Sequence, residues 1–550
     1  MTIDFDDWTP TDDDAPDAPP RKPRKPRGAL RVVAEAEDAR PLVLLTPYSE
    51  RAIADTVVGA LAANEPNLYQ RAGMMVRVVR EPATLDGPVT ATPPRILPMS
   101  RPVLREHIDS HVRLAEPRKA EPKPCHPPDW LVALVEARSQ WDGVRRLEMV
   151  TQCPVMRPDG TVLDSPGYDM ATGLLYEPNF EQLEVPAVPR REHALEALAE
   201  LRDVVVDFPF SAPKHEAGYL ALLLTPFARF AFRGPSPLGV IDGSVAGVGK
   251  GKLVQVISML VDGCQVSPTP QPEEPEEERK LITSIAISGR RMVMIDNVTR
   301  QVGSGPLEAL LTSTRWNDRV LGSSKTFDGD VLTQWFVTGN NVGFRKKDTI
   351  RRCVHVRIEA KTATPEERTS FAHSPLLDWV QSERPRLVRA ALTILRAHAL
   401  ADWYNPCASQ WGSFEGWSDR VRSALVWLGC DDPADTRLDL NATADTEGTA
   451  LVVLLEKLHR AAILGSAGLS ARDLMSEAST DTELKDALDE LCPTRKGDPT
   501  ARQMGYALRS VKGRVVEVGQ REMALEAVPG PGHTTLWTAK AQDRAEALDF

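Results

Sequence analysis

The chain has 550 residues, 42% hydrophobic and 26% charged, which at roughly 100–200 residues per domain predicts about three or four domains with ordinary buried cores. Its formal charge of −11 is unevenly placed: residues 1–20 hold seven Asp and no Lys or Arg, so the rest carries only −4 and a local basic channel for nucleic acid stays open. No apolar run approaches the ~18 residues of a membrane span, the acidic N-terminus has no signal-peptide pattern, and seven scattered Cys without a C-x-x-C pair argue against a disulfide framework and a zinc site, as in a reducing cytoplasm.

In chain order, residues 1–28 read as a disordered tail. DDDAPDAPPRKPRKPRG joins an acidic half to a basic half and lacks the apolar residues that offset ordering entropy. Residues 29–119 alternate apolar runs (PLVLL, MMVRVV) with the helical stretch SERAIADTVVGALAAN, predicting a small α/β domain with no assignable role. The Pro-rich stretch 116–128 reads as a linker, and its lone Cys125-His126 pair is no metal site. A further domain is expected over 129–234. It holds RPDGTVLDSPGYDMATGLLY, with turns at Asp159-Gly160 and Pro166-Gly167, then the periodic helix REHALEALAELRDVV. Residues 361–440 read as helical, and 441–550 as two or three helices with a hairpin.

The chemistry lies in 235–360. PLGVI (237–241) runs into DGSVAGVGKGKLVQVISML: strand, Gly-rich turn, amphipathic helix, the context of a P-loop. Backbone N–H groups across Gly243, Ser244, Ala246, Gly247, Val248, Gly249, Lys250, Gly251 and Lys252 are placed to cradle phosphates, with Lys250 reaching the β/γ pair. The pattern departs from G-x-x-x-x-G-K-[ST] twice: Ser244 stands where the first Gly belongs, and Gly251 where a hydroxyl for Mg²⁺ belongs. RRMVMIDN (290–297) predicts a buried strand beside the P-loop strand that delivers the Asp296 carboxylate to Mg²⁺. TQWFVTGNN (333–341) ends in Asn340-Asn341, which suits either an amide orienting a water or plain turn chemistry. DTIRRCVHVRI sets Arg351-Arg352 before a fourth strand, or in a solvated basic loop.

Lys250, Asp296, Asn340 and Arg351/Arg352 fall within 103 residues, each at a strand edge. This order resembles the superfamily 3 branch of AAA+ helicases, specifically phage- and plasmid-borne primase-helicase C-terminal domains. Motif A lies at GVGKG, motif B at MVMIDN, motif C at WFVTGNN, and a B′ region at PLEALLTSTRWNDRVLGSSKTF. The likeness extends upstream to RPDG…PGYDMATGLL and downstream to SFEGWSDRVRSALVWLG, roughly residues 130–430. It implies an α/β fold with an AAA+ P-loop ATPase core (235–360), a pre-helicase domain (129–234) and a helical post-core region (361–440), to which the residues themselves add the small N-terminal α/β domain and a C-terminal winged-helix domain (441–550). It also implies ATP and Mg²⁺, with Asp296 as metal ligand, and a hexameric ring of 3′→5′ polarity in the cytoplasm of a bacterial host. ATP would sit between subunits, Lys250, Asp296 and Asn340 coming from one and Arg351 or Arg352 in trans. Asn297 stands where many AAA+ proteins place a Glu general base. An amide takes no proton, so another carboxylate, or positioning by Asn340 and Arg352, must serve. No primase motif is apparent in 1–128, so a primase would be a separate partner.

Superfamily 3 helicases project a hairpin before motif C into the ring channel, and RVLGSSKTFDGDVL holds that place. Lys325 near its tip and Phe327 beside it would supply a cation and an aromatic to a single strand; an ordinary surface hairpin is the plain alternative, and Lys346 is a weaker channel candidate. In the last hundred residues LSARDLMSEA, TELKDALDELC and the basic TARQMGYALRSVKG precede two strands. That is the order of a winged helix, its third helix bringing Arg502, Arg509 and Lys512 to duplex DNA; a protein-binding lid has the same order. The reading is an ATP-dependent helicase replicating a phage or other mobile element. Its rivals are an origin-melting initiator and an ATP-switched scaffold that loads a host helicase.

Overall fold

Three apolar runs, Leu238–Gly243, Gln334–Gly339 and Met292–Val298, lie side by side in the computed structural model, which describes residues 39–80, 92–181, 184–322, 325–360, 367–444, 446–492, 498–519 and 521–541. The tail at 1–28 lies outside the described residues. The three runs belong to a five-stranded sheet ordered Pro268–Thr269, Met292–Val298, Gln334–Gly339, Leu238–Gly243, Cys353–Ile358, every pair parallel. Parallel strands covered on both faces need apolar residues at successive positions, and Leu238–Gly243 and Gln334–Gly339 are buried throughout. Alternate side chains divide between the faces. Met292, Met294 and Phe336 join one core with Leu253, Val254 and Ile257 of the P-loop helix; Val293, Ile295, Trp335 and Val337 join a second with Ile282 and Leu307.

The strand order corrects one expectation. The Asp296 strand does not lie beside the P-loop strand, because Gln334–Gly339 fills the slot between them. Equally apolar runs carry no label for their neighbour, so hydrophobicity alone leaves this order open.

The expected division into segments shifts as well. Helices Arg191–Val204, Pro213–Ala228 and Leu376–Leu400 bury their apolar faces in the same core as the P-loop helix, so the segments around 235–360 share its interior. Arg384, fully buried on the last of these helices, donates from Nε to Leu260 O (3.0 Å) and from Nη2 to Val261 O (3.2 Å), satisfying the carbonyl end of the P-loop helix. The stretch read as a linker is built: Arg113–Glu116 pairs antiparallel with Lys123–Cys125, whose Pro124 is tolerated on an edge strand. Helix Asp129–Ala137 and Trp141 then pack with Val57, Leu61 and Ile108, so the N-terminal unit reaches past 128.

Residues from 446 onward surround a separate core of Leu451, Leu454, Leu474, Leu488, Met504, Leu508 and Trp537. Helix Thr446–Ile463 is followed by Ala471–Ala478, Thr482–Leu491 and Ala501–Ser510, then the antiparallel strands Val515–Val518, Arg521–Pro529 and Thr535–Ala541. Ser470 with Asp473 and Thr500 with Gln503 form capping boxes that fix where two of these helices begin. Among the described residues, no helix is long and apolar enough to cross a membrane.

Candidate nucleotide site and nucleic-acid surfaces

Strand Leu238–Gly243 ends in a turn whose Gly247 (φ 81°) and Gly249 (φ 94°) adopt the left-handed region, and helix Lys250–Asp262 begins at once. The backbone is closely approached here. A Cβ on Gly243 would stand 2.9 Å from Ile358 O, and one on Gly249 would stand 3.0 Å from the Phe208 ring. Ser244, Ala246 and Gly247 are exposed, Val248 is buried, and Lys252 is exposed on the helix. The helix N-terminus and its free N–H groups thus open at the carboxyl end of the sheet, where open α/β sheets bind ligands.

The intervening strand joins this loop to Asp296. Lys250 Nζ donates to Val245 O (2.7 Å) and to Asn340 Oδ1 (2.6 Å). Thr338 Oγ1, two residues before Asn340, donates to Asp296 Oδ1 and accepts from the backbone N of Asn297 (3.1 Å). The ladder is irregular between Ile295 and Val298, and Asn297 sits at φ 52°. Such an irregularity re-aims a side chain at a strand end, and here it turns Asp296 toward Thr338. A Cβ on Gly251 would meet one atom, Asp296 Oδ1 at 4.0 Å. The position lacking a hydroxyl therefore faces the carboxylate, and the set fits a magnesium-bound triphosphate.

Four residues beyond the predicted site complete the frame. Asp242, buried just before the turn, accepts from Gly243 N (2.7 Å), Val342 N (3.2 Å), His355 Nε2 (3.2 Å) and Arg357 Nη1 (3.1 Å). Burial raises its pKa, but the hydrogen bond from His355 and the backbone donors outweigh that and hold it below the usual carboxylate range. Asn341, at φ 49°, donates from its N to Gly243 O (3.1 Å) and accepts at Oδ1 from Arg357 (3.3 Å). An acidic residue inside an apolar run directly before a Gly-rich turn was the available signal for Asp242. Burial lowers the Lys250 pKa, opposed by the charges of Asp242 and Asp296.

The two arginines separate. Arg351 is about half exposed and pairs with Asp348, whereas Arg352 is 5% exposed and ion-pairs with Asp348 Oδ2 at 2.5 Å. Arg352 is thus held inward by its ion pair, which leaves Arg351 as the better-exposed candidate for a trans finger.

The hairpin expectation is corrected in part. Strands Arg315–Arg319 and Thr326–Asp330 form the hairpin, and its tip at 323–324 lies outside the described residues. Phe327 is fully buried with Arg71 over its ring at 5.4 Å, so it cannot stack on a base. Strand alternation turns it inward, toward the N-terminal unit. Lys325 Nζ lies 2.5 Å from Glu136 Oε1 of that unit, and Lys346 Nζ lies 2.9 Å from Glu308 Oε2. On the C-terminal unit, Arg502, Tyr506 and Arg509 form an exposed stripe along helix Ala501–Ser510, both guanidinium groups within 5.8 Å of the Tyr506 ring centre, with Lys512 exposed just beyond.

The geometry at Gly251 makes a prediction. Gly251→Ser adds a hydroxyl next to Asp296, and a metal contact worth about 0.5–1.5 kcal/mol should lower the magnesium concentration for half-maximal hydrolysis about two- to tenfold. Magnesium titrations of ATP turnover check it; an unchanged or raised half-saturation would mean that the helix start does not face the metal.

No protein-family model matches the sequence, and no curated protein matches it. Among solved structures, the chain is similar to the NrS-1 C-terminal region (10% identity, 88% of this chain and 98% of that one, TM-score 0.38). It is also similar to the SCCmec type IV Cch active helicase (9%, 86% and 97%, TM-score 0.32) and to the JCV helicase (15%, 48% and 71%, TM-score 0.21).

Proposed function

We propose that the chain is an ATP-dependent, ring-forming DNA helicase of superfamily 3 AAA+ type that serves replication of a phage or other mobile element. The observation that carries this reading is a pair of hydrogen bonds, Lys250 to Asn340 and Thr338 to Asp296, which tie three strand ends together beside the Gly-rich loop. Lys250 and the loop N–H groups hold the phosphates. Asp296 would hold a magnesium ion, which would supply neutralisation of charge developing on the transferred phosphoryl group. Asn340 exchanges its bond with Lys250 for one to the attacking water. Asp242 already accepts four hydrogen bonds, so its role is to fix the loop. Asn297 has no basic atom, and water positioning falls to Asn340. Arg351 is the one arginine of the pair open to a neighbouring subunit, which supports a site shared across a ring interface. Lys325 would track the single strand once released from Glu136. The Arg502–Tyr506–Arg509 stripe, with Lys512, offers cations and a stacking face to duplex DNA.

The initiator reading is favoured by Gly251 and Asn297, which lack the hydroxyl and the basic carboxylate that would speed turnover. It predicts DNA melting without sustained unwinding.

Subunit mixing tests the shared site. Arg351→Ala should bind nucleotide and assemble yet hydrolyse slowly, as should Lys250→Ala. Combined in equal amounts and allowed to exchange, they should regain up to about one quarter of wild-type turnover, the fraction of interfaces at which each supplies the half the other lacks. No recovery at any ratio would place each site within one subunit.

A further inference from the structure

Behind the P-loop strand, one nitrogen of His215, one of His355 and one carboxylate oxygen of Asp439 lie within 4.8 Å of one another. They come from three segments distant in sequence: the first turn of helix Pro213–Ala228, the edge strand Cys353–Ile358, and helix Thr436–Ala444. Both imidazoles are 2% exposed, and their rings meet edge to face at 5.3 Å.

Hydrogen bonding fixes which nitrogens face inward. His215 Nδ1 lies 3.0 Å from the backbone carbonyl of His355, which can only accept, so Nδ1 carries the proton. In the neutral ring Nε2 is then a bare lone pair, and it lies 3.0 Å from Asp439 Oδ2. His355 Nε2 donates to Asp242 Oδ2 at 3.2 Å, leaving Nδ1 as its lone pair, buried and without a hydrogen-bond partner among the described residues. Two imidazole nitrogens and a carboxylate oxygen thus gather within 4.8 Å, and the unpartnered nitrogen of His355 is Nδ1. A proton on His215 Nε2 would bridge it to Asp439 and leave His355 Nδ1 without a partner. A cation coordinated by all three relieves the whole set.

We propose that His215 Nε2, His355 Nδ1 and Asp439 Oδ2 form a binding site for a divalent transition metal, Zn²⁺ being the best match. Imidazole donors select zinc-like ions over magnesium or calcium. Zinc bonds of about 2.0–2.1 Å set tetrahedral ligand atoms roughly 3.3 Å apart, close to the separation of His215 Nε2 and Asp439 Oδ2. The outer groups are those such a site uses: a carboxylate behind one imidazole and a backbone carbonyl behind the other. Asp439 Oδ1 keeps its own partner, Lys214 Nζ at 2.7 Å, and the partial exposure of Asp439 admits a water as fourth ligand. Cysteine spacing argues against zinc in this sequence; these histidines are too far apart in the chain for any spacing rule to pair them. The ion would pin the segments before and after the core to its edge strand and, through His355 and Asp242, brace the P-loop.

The test uses the full chain, stripped of metal and titrated with Co²⁺ as a spectroscopic probe, then with Zn²⁺ in competition. One Co²⁺ per chain is expected, with the visible absorption of a four-coordinate site, displaced by one equivalent of Zn²⁺ and accompanied by a rise in melting temperature. Asp439→Ala and His215→Ala, each checked for folding by circular dichroism, should weaken binding at least about 100-fold. His111→Ala should leave it unchanged; that variant controls for the separate Glu65–His107–His111 cluster. Absence of stoichiometric binding by the folded wild type would overturn the proposal and leave a proton on His215. So would binding that survives both ligand variants or disappears in His111→Ala.

Discussion

Lys250→Ala is expected to cut ATP turnover by about 10²–10³-fold, the cost of removing one preorganised donor from a site that stabilises developing charge. Lys250 is the first residue of its helix, and Ala is a strong helix former. The substitution therefore leaves the strand, turn and helix in place while deleting the ammonium group and its bond to Asn340. Phosphate release measured beside thermal unfolding separates the two effects: turnover should collapse while the melting temperature stays near that of the wild type. Hydrolysis unchanged in this variant would remove the P-loop assignment and the chemistry built on it.

Asp296 is expected to be nearly as sensitive, and its variants divide by what they keep. Asp296→Asn retains the oxygen that accepts from Thr338 but loses the charge proposed to bind magnesium; Asp296→Ala loses both. Turnover should fall about 10²-fold or more in each, since the metal's neutralisation of the phosphates depends on that charge. Thr338→Val, which removes the bond to Asp296 and the acceptor for the Asn297 N–H, should cost about tenfold, in the range for a group that positions a metal ligand. A fluorescent ATP analogue should still bind the Asn variant while losing its magnesium dependence. Equal turnover in Asp296→Asn and wild type would move the metal ligand elsewhere.

Local physics decides which parts of the molecule are legible in the sequence, and non-local packing decides which are hidden. Strand, Gly-rich turn and helix at 237–262 are legible because apolar continuity, glycine and helical spacing are each local signals. The parallel sheet is legible as a set of apolar runs but not as an order, and the Thr338–Asp296 bond depends on that order. Arg352 and Phe327 show the same limit. A charged residue before a strand and an aromatic in a hairpin look equally exposed in sequence, and only tertiary packing buries Arg352 and sets Phe327 beneath Arg71. Pro124 misleads in the opposite direction, since proline marks linkers and edge strands alike. The His215–His355–Asp439 cluster is invisible to spacing altogether, because its members are far apart along the chain.

Displacement of one strand from a forked duplex by the purified chain, with ATP and magnesium, puts the helicase reading at risk in a single assay. The expected result is displacement that requires hydrolysis, is lost with a non-hydrolysable analogue and in Lys250→Ala, and proceeds only from a 3′ single-stranded tail. ATP turnover with no displacement on any fork would contradict the helicase and leave the initiator.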